Sequence, residues 1–249
     1  MRFGDLTYLE IQKLAKAGCL AVVPTGCTEQ QGPHLPVDFD TWFVERLCQA
    51  ASEKAFRDFG VQSLVLPAIP FGPTPEHRNY GAGYVDIPSE LHDDLVCATL
   101  VSLAEQGFER IIVWRGCGGH DLQGAVRRFN RTNRYQAQAF LPSHPYHDIW
   151  CCLGDPDVSG GHADSFATSI SLHLRPSAVR VNEIVDPAHP PVDWQDPDLD
   201  FARYSSTGVI GDPTYASAEL GARLWEAVVD SVAAIFRTIA ASSLSAADA

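Results

Sequence analysis

Residues 20–24 read LAVVP and run straight into residues 25–40, TGCTEQQGPHLPVDFD. A short apolar, β-branched run of that size suits a buried strand. The segment behind it, rich in Gly, Pro and acidic residues, is unusual as a plain connection, and a helical period resumes over residues 41–56. The same unit then recurs. Residues 63–69 (SLVLPAI) are a second predicted strand, 91–105 a second long helix and 110–114 (RIIVW) a third strand, each strand followed by a polar, glycine-bearing loop. This alternation predicts an α/β fold: a single domain with a mostly parallel sheet flanked by helices on both faces. Ligands of such sheets bind beyond the carboxyl ends of the strands, so the loops after Pro24, Ile69 and Trp114 are expected to meet at one site. Residues 9–16, 165–174 and 216–239 also carry helical spacing, and proline-rich 186–197 reads as a rigid surface loop.

Composition bounds the rest. A chain of 249 residues with 45% hydrophobic content buries a sizeable core in one domain, residues 1–240, ahead of an Ala/Ser-rich tail at 241–249 expected to be flexible. A net charge of −13 and a pI near 5.0 argue against nucleic acid and anionic membrane surfaces as partners, because such binding relies on clustered Lys and Arg. The amino-terminal segment alternates charged and apolar residues, without the basic start and unbroken apolar run of a secretory signal. No apolar stretch reaches membrane-spanning length. The cysteines (19, 27, 48, 97, 117, 151 and 152) form no regular framework, which suits free thiols in a reducing cytoplasm, most of them small core residues. Adjacent Cys151 and Cys152 cannot easily form an unstrained disulfide, so they receive no redox role.

Glu29, His34, Asp38 and Asp40 lie close together in the first loop. Acidic and imidazole groups so concentrated are the raw material of a divalent metal site, although the same composition also makes a loop soluble. Further along, residues 115–120 (RGCGGH) follow the third predicted strand, 162–169 (HADSFATS) open a helix, and 208–221 read GVIGDPTYASAELG.

Together these four segments resemble the creatininase family. Residues 25–40 are similar to its G-S-T-E-Q-H-G-P-H-L-P segment and following Asp, 115–120 fall where it has N-G-H-G-G-N, and 162–169 match H-A-G-E-x-E-T-S. The last segment matches its carboxyl-terminal signature. The resemblance implies hydrolysis of a non-peptide, often cyclic, C–N bond by water activated between two zinc or manganese ions, in a homo-oligomer acting on a small molecule. It also implies that Glu29 and Asp40 are metal ligands, Asp40 bridging both ions. The departures are Gln31 and Cys117 in place of ligand histidines, and Ser165 and Ala167 in place of glutamates.

One ion therefore keeps little but Asp40, and the expectation is at most a mononuclear site in which Glu29, Asp40 and Cys117 hold one Zn or Mn ion. Three protein ligands plus water is the usual arrangement of a catalytic zinc. His162 is the proton-transfer candidate, with His34 and His120 behind it. His77 and Trp150 are candidates to face the substrate, as is Trp194. Two alternatives stand beside this reading. In the first there is no metal, and Cys117, its thiol pKa lowered in a glycine-rich turn, works with His162 or His120 in a cyclisation, dehydration or rearrangement. In the second the chain is a noncatalytic subunit that keeps only the scaffold.

Overall fold

The structure is a computed structural model and describes residues 1–155 and 161–244. Its sheet has four parallel strands in the order β2-β1-β3-β4: β1 (Leu20–Thr25), β2 (Ser63–Val65), β3 (Arg110–Arg115) and β4 (Gln138–Phe140). In β1, Val22 pairs with Val65 on one side and Ile112 on the other. Strand alternation sends Leu20, Val22, Ile112 and Trp114 to one face and Ala21, Val23, Ile111 and Val113 to the other, and each face builds its own apolar core.

The first core is closed by α2 (Phe39–Phe59), α5 (Tyr146–Leu153), α6 (Ser165–Leu174) and α7 (Ala218–Ala241). The second is closed by α1 (Tyr8–Lys16), α3 (Ser89–Glu105) and α4 (Gln123–Thr132). Helix α2 buries Phe43, Leu47, Ala51 and Ala55, an i, i+4 stripe, and stops where Gly60 turns left-handed at φ +70°. The Asp164 carboxylate starts α6 by accepting from the Phe166 and Ala167 amides.

Helices thus cover both faces, as the alternation predicts. The second strand is shorter than predicted, because Pro67 has no amide to donate. Beyond Val65 the chain touches β1 only through single bonds, such as Ile69 N to the Pro24 carbonyl at 3.0 Å. β4, α4 and α5 were not anticipated; β4 is three residues long and α5 eight, too short to declare a period. Helix α7 runs through Ala241, so the tail begins later than expected, and residues 245–249 of it lie outside the described residues. Among the described residues no helix is long and apolar enough to cross a membrane.

Candidate metal centre

β1 has β2 on one side and β3 on the other, so the connections leaving β1 and β3 diverge and open a crevice at the carboxyl ends of the two strands. Two glycines let both loops press on the start of α2. A Cβ on Gly26 would lie 2.4 Å from Thr41 Cα, and one on Gly116 would lie 2.8 Å from the Thr25 carbonyl oxygen. Asp40 therefore enters from the first turn of α2, and Cys117 from the turn after β3. His77 arrives on the 3-10 turn Pro75–Tyr80, in the connection after Ile69. His162 comes from the segment bridged to Ile210, just before Ala163 adopts left-handed backbone (φ 53°) at the entry to α6. The three loops meet as the strand pattern predicts.

At the floor of the crevice two thiols and two carboxylates crowd together. Cys27 Sγ is 3.1 Å from Glu29 Oε2 and 3.2 Å from Asp40 Oδ2, and Cys117 Sγ is 3.7 Å from the same Glu29 oxygen. Gln31 donates its amide nitrogen to Asp40 Oδ2 at 2.8 Å and to Glu29 Oε1 at 3.3 Å. Gln31 thus clamps the two carboxylates through its amide nitrogen, which cannot ligate a metal. His162 Nε2 donates to the Gln30 carbonyl at 2.6 Å, which leaves the lone pair on Nδ1, 3.6 Å from Glu29 Oε1. The Gln30 amide nitrogen lies 3.1 Å from His77 Nδ1, so that atom accepts and His77 directs its Nε2–H toward Glu29 Oε2 at 3.4 Å.

The electrostatics follow from the crowding. Burial, and then the charge of Glu29, push Asp40 well above the usual carboxylate range. Burial also works against Glu29, but hydrogen bonding from His77, helped by that from Cys27, holds it below that range. The Cys27 hydrogen bond pulls Cys117 down, yet burial and the two carboxylates push its thiol up to about 12. Burial likewise raises Cys27. The glycine-rich turn was expected to lower the Cys117 pKa; burial, followed by the neighbouring carboxylates, reverses that and favours the thiol over the thiolate.

These residues fit one divalent ion. Cys27, Glu29, Asp40 and Cys117 offer ligand atoms all within 4.8 Å of one another. Zinc, at Zn–S of about 2.3 Å and Zn–O of about 2.0 Å, holds S and O about 3.5 Å apart along a tetrahedral edge. The sulfur–oxygen separations here, 3.1, 3.2 and 3.7 Å, bracket that edge. Among the described residues neither carboxylate has a Lys or Arg ion-pair partner, and a cation would supply the missing charge. Thiolates favour zinc over manganese. Glu29, His77 and His162 form another close group, but His77 aims a proton there rather than a lone pair.

The remaining predicted residues fall in different places. His162 and Trp150 line a cavity of about 610 Å³ above the cluster, together with Phe39, Phe43, Tyr146 and Phe166. Ala167 lines it too, while the Ser165 hydroxyl donates to the Asp212 carbonyl. His34 is wholly buried, 2.9 Å from Thr168 Oγ1, and does not line the cavity, so it braces the loop. His77 was expected to face substrate; it is buried behind Glu29 and steadies that carboxylate instead. Trp194 is half exposed and packs edge-on to Phe201, away from the cavity. His120 is buried with Nε2 donating to the Pro73 carbonyl at 3.1 Å. Cys27 was not named as a site residue, most of the cysteines having been read as small core residues. Its place two residues before Glu29 in the same loop was the available signal.

Comparison with known proteins shows the family and the fold. Residues 4–236 match the Creatininase family, described as creatinine amidohydrolase. A mycofactocin precursor peptide peptidase of Mycobacterium tuberculosis (strain CDC 1551 / Oshkosh) is 31% identical over 244 residues, covering 91% of this chain and 88% of that protein. A creatinine amidohydrolase of Pseudomonas putida is 24% identical, covering 94% and 95%. A mutant creatininase of Zn-Zn type superposes with a TM-score of 0.80 at 25% identity, covering 95% of this chain and 97% of that one. Relatives named as peptidase and amidohydrolase make this an enzyme sequence and set aside the noncatalytic reading.

Proposed function

The chain belongs to the creatininase family, whose members here include C–N hydrolases, and on that premise we propose that it hydrolyses the amide bond of a small molecule or short peptide bearing an apolar or aromatic group. One zinc ion would be held by Glu29, Asp40 and Cys117. The observation that carries this reading is the buried thiol–carboxylate cluster lying directly under an aromatic-walled cavity. A divalent ion in that cluster supplies a bound water of near-neutral pKa and polarises the carbonyl to be attacked.

The chain's own residues supply the rest. Phe39, Phe43, Tyr146 and Trp150 give the apolar part of the substrate a wall, and about 610 Å³ accommodates more than a single small ring. His162 Nδ1, with its proton fixed on the other nitrogen by the Gln30 carbonyl, is free to take a proton from the attacking water. The same atom can return it to the departing nitrogen. His77 holds Glu29 ionised and in place from behind. The metal-free thiol mechanism lacks this support, since burial and the neighbouring carboxylates disfavour the Cys117 thiolate it needs.

The test is amine release from a panel of lactams, aryl amides and dipeptides, measured with the protein as purified, after chelation and after zinc is restored. Turnover lost on chelation and regained with zinc is the expected result. Turnover indifferent to chelation would overturn the reading.

A further inference from the structure

We propose that Cys27 and His120 are themselves metal ligands, joining Cys117 in a thiolate-rich centre selective for zinc. The inference rests on the metal-dependent reading above and sharpens its ligand set: three protein donors leave a position for water, with the Glu29 and Asp40 carboxylates beside it. In the motifs quoted earlier, Cys27 stands where the family segment has Ser and His120 where it has the final Asn. This chain has thus placed two strong donors beside Cys117. Cys27, Cys117 and His120 each bring a ligand atom within 4.8 Å of the other two.

His120 supplies the independent observation. Its ring is 2% exposed, its Nε2 proton is committed to the Pro73 carbonyl at 3.1 Å, and Nδ1 has no hydrogen-bond partner. The ring is also held in place: a Cβ on Gly72 would lie 2.1 Å from its Cε1, and its carbonyl accepts from Arg115 at 2.8 Å. A fixed, buried, unpaired lone pair is unfavourable, and an ion relieves it. Two cysteines and a histidine are a known catalytic zinc set, and their softness disfavours manganese. Loading replaces two S–H bonds by two S–Zn bonds and releases two protons to solvent, with nothing oxidised or reduced.

The experiment is X-ray absorption on wild-type protein loaded with one equivalent of zinc, followed by zinc titration of Cys27→Ser and His120→Gln. Two sulfur scatterers are expected, and each variant should lose more zinc affinity than the roughly 10–100-fold that an outer partner costs. Cobalt loading should give a thiolate charge-transfer band that halves in Cys27→Ser. Bound zinc with one sulfur or none, or a cobalt band unchanged in Cys27→Ser, overturns this inference and leaves the metal-dependent reading standing. A wild-type protein that takes up no zinc overturns both.

Discussion

Strand β1 and the inward-facing side chains of the loop that follows it are buried to nearly the same degree and built from opposite chemistry. Leu20, Ala21, Val22 and Val23 are at most 1% exposed, and so nearly are Cys27, Glu29, Gln31 and His34, at 3% or less. In the strand every removed surface is apolar and favours folding. In the loop, burial works against the charged groups that face one another, and a buried ionised group is tolerated only when it is paired or coordinated. Stability therefore resides in the two cores beneath the sheet's carboxyl end, and the chemistry resides in a patch that those cores hold closed.

The sharpest way to break this contrast is Glu29→Gln. It should abolish zinc retention and lower kcat/KM at least about a thousand-fold, the several kcal/mol that metal activation supplies. His162→Gln comes next, with kcat reduced by about 10²–10⁴-fold while zinc content, read by elemental analysis, stays that of the wild type. Leu47→Ala, in the core under α2, should do the reverse: denaturant unfolding should report a loss of about 2–5 kcal/mol, with zinc per folded chain unchanged.

The smallest effect concerns pH. Burial holds His34 at about 4, while an unfolded histidine titrates near about 6.5. As pH falls through that interval the unfolded chain gains a proton that the folded one refuses. Stability of the metal-free protein should therefore drop toward acid by up to about 1.4 kcal/mol per unit from this group. His34→Gln should flatten that slope, as read from urea midpoints between about pH 7 and 4.

Much of the fold was legible because β1, β3 and helices α2, α3 and α7 each carry a period long or apolar enough to declare itself. The strand β4 was not legible: its three residues, Gln138 to Phe140, are held by pairing with β3, a contact made across the chain. The site divides along the same line. Glu29, Asp40, Cys117 and His162 could be named from motif positions. For Cys27 the local signal was its place two residues before Glu29, while its partnership with Cys117 depends on the β3 turn lying against the β1 loop; the part of His77 depends on a hydrogen bond from Gln30. Both contacts are nonlocal facts.

The central claim is that the buried cluster after β1 and β3 is a metal centre. Elemental mass spectrometry of protein purified without chelator or a metal-binding tag tests it most directly. The account expects about one zinc per chain; a protein that holds none, even after incubation with zinc and with manganese, would contradict it.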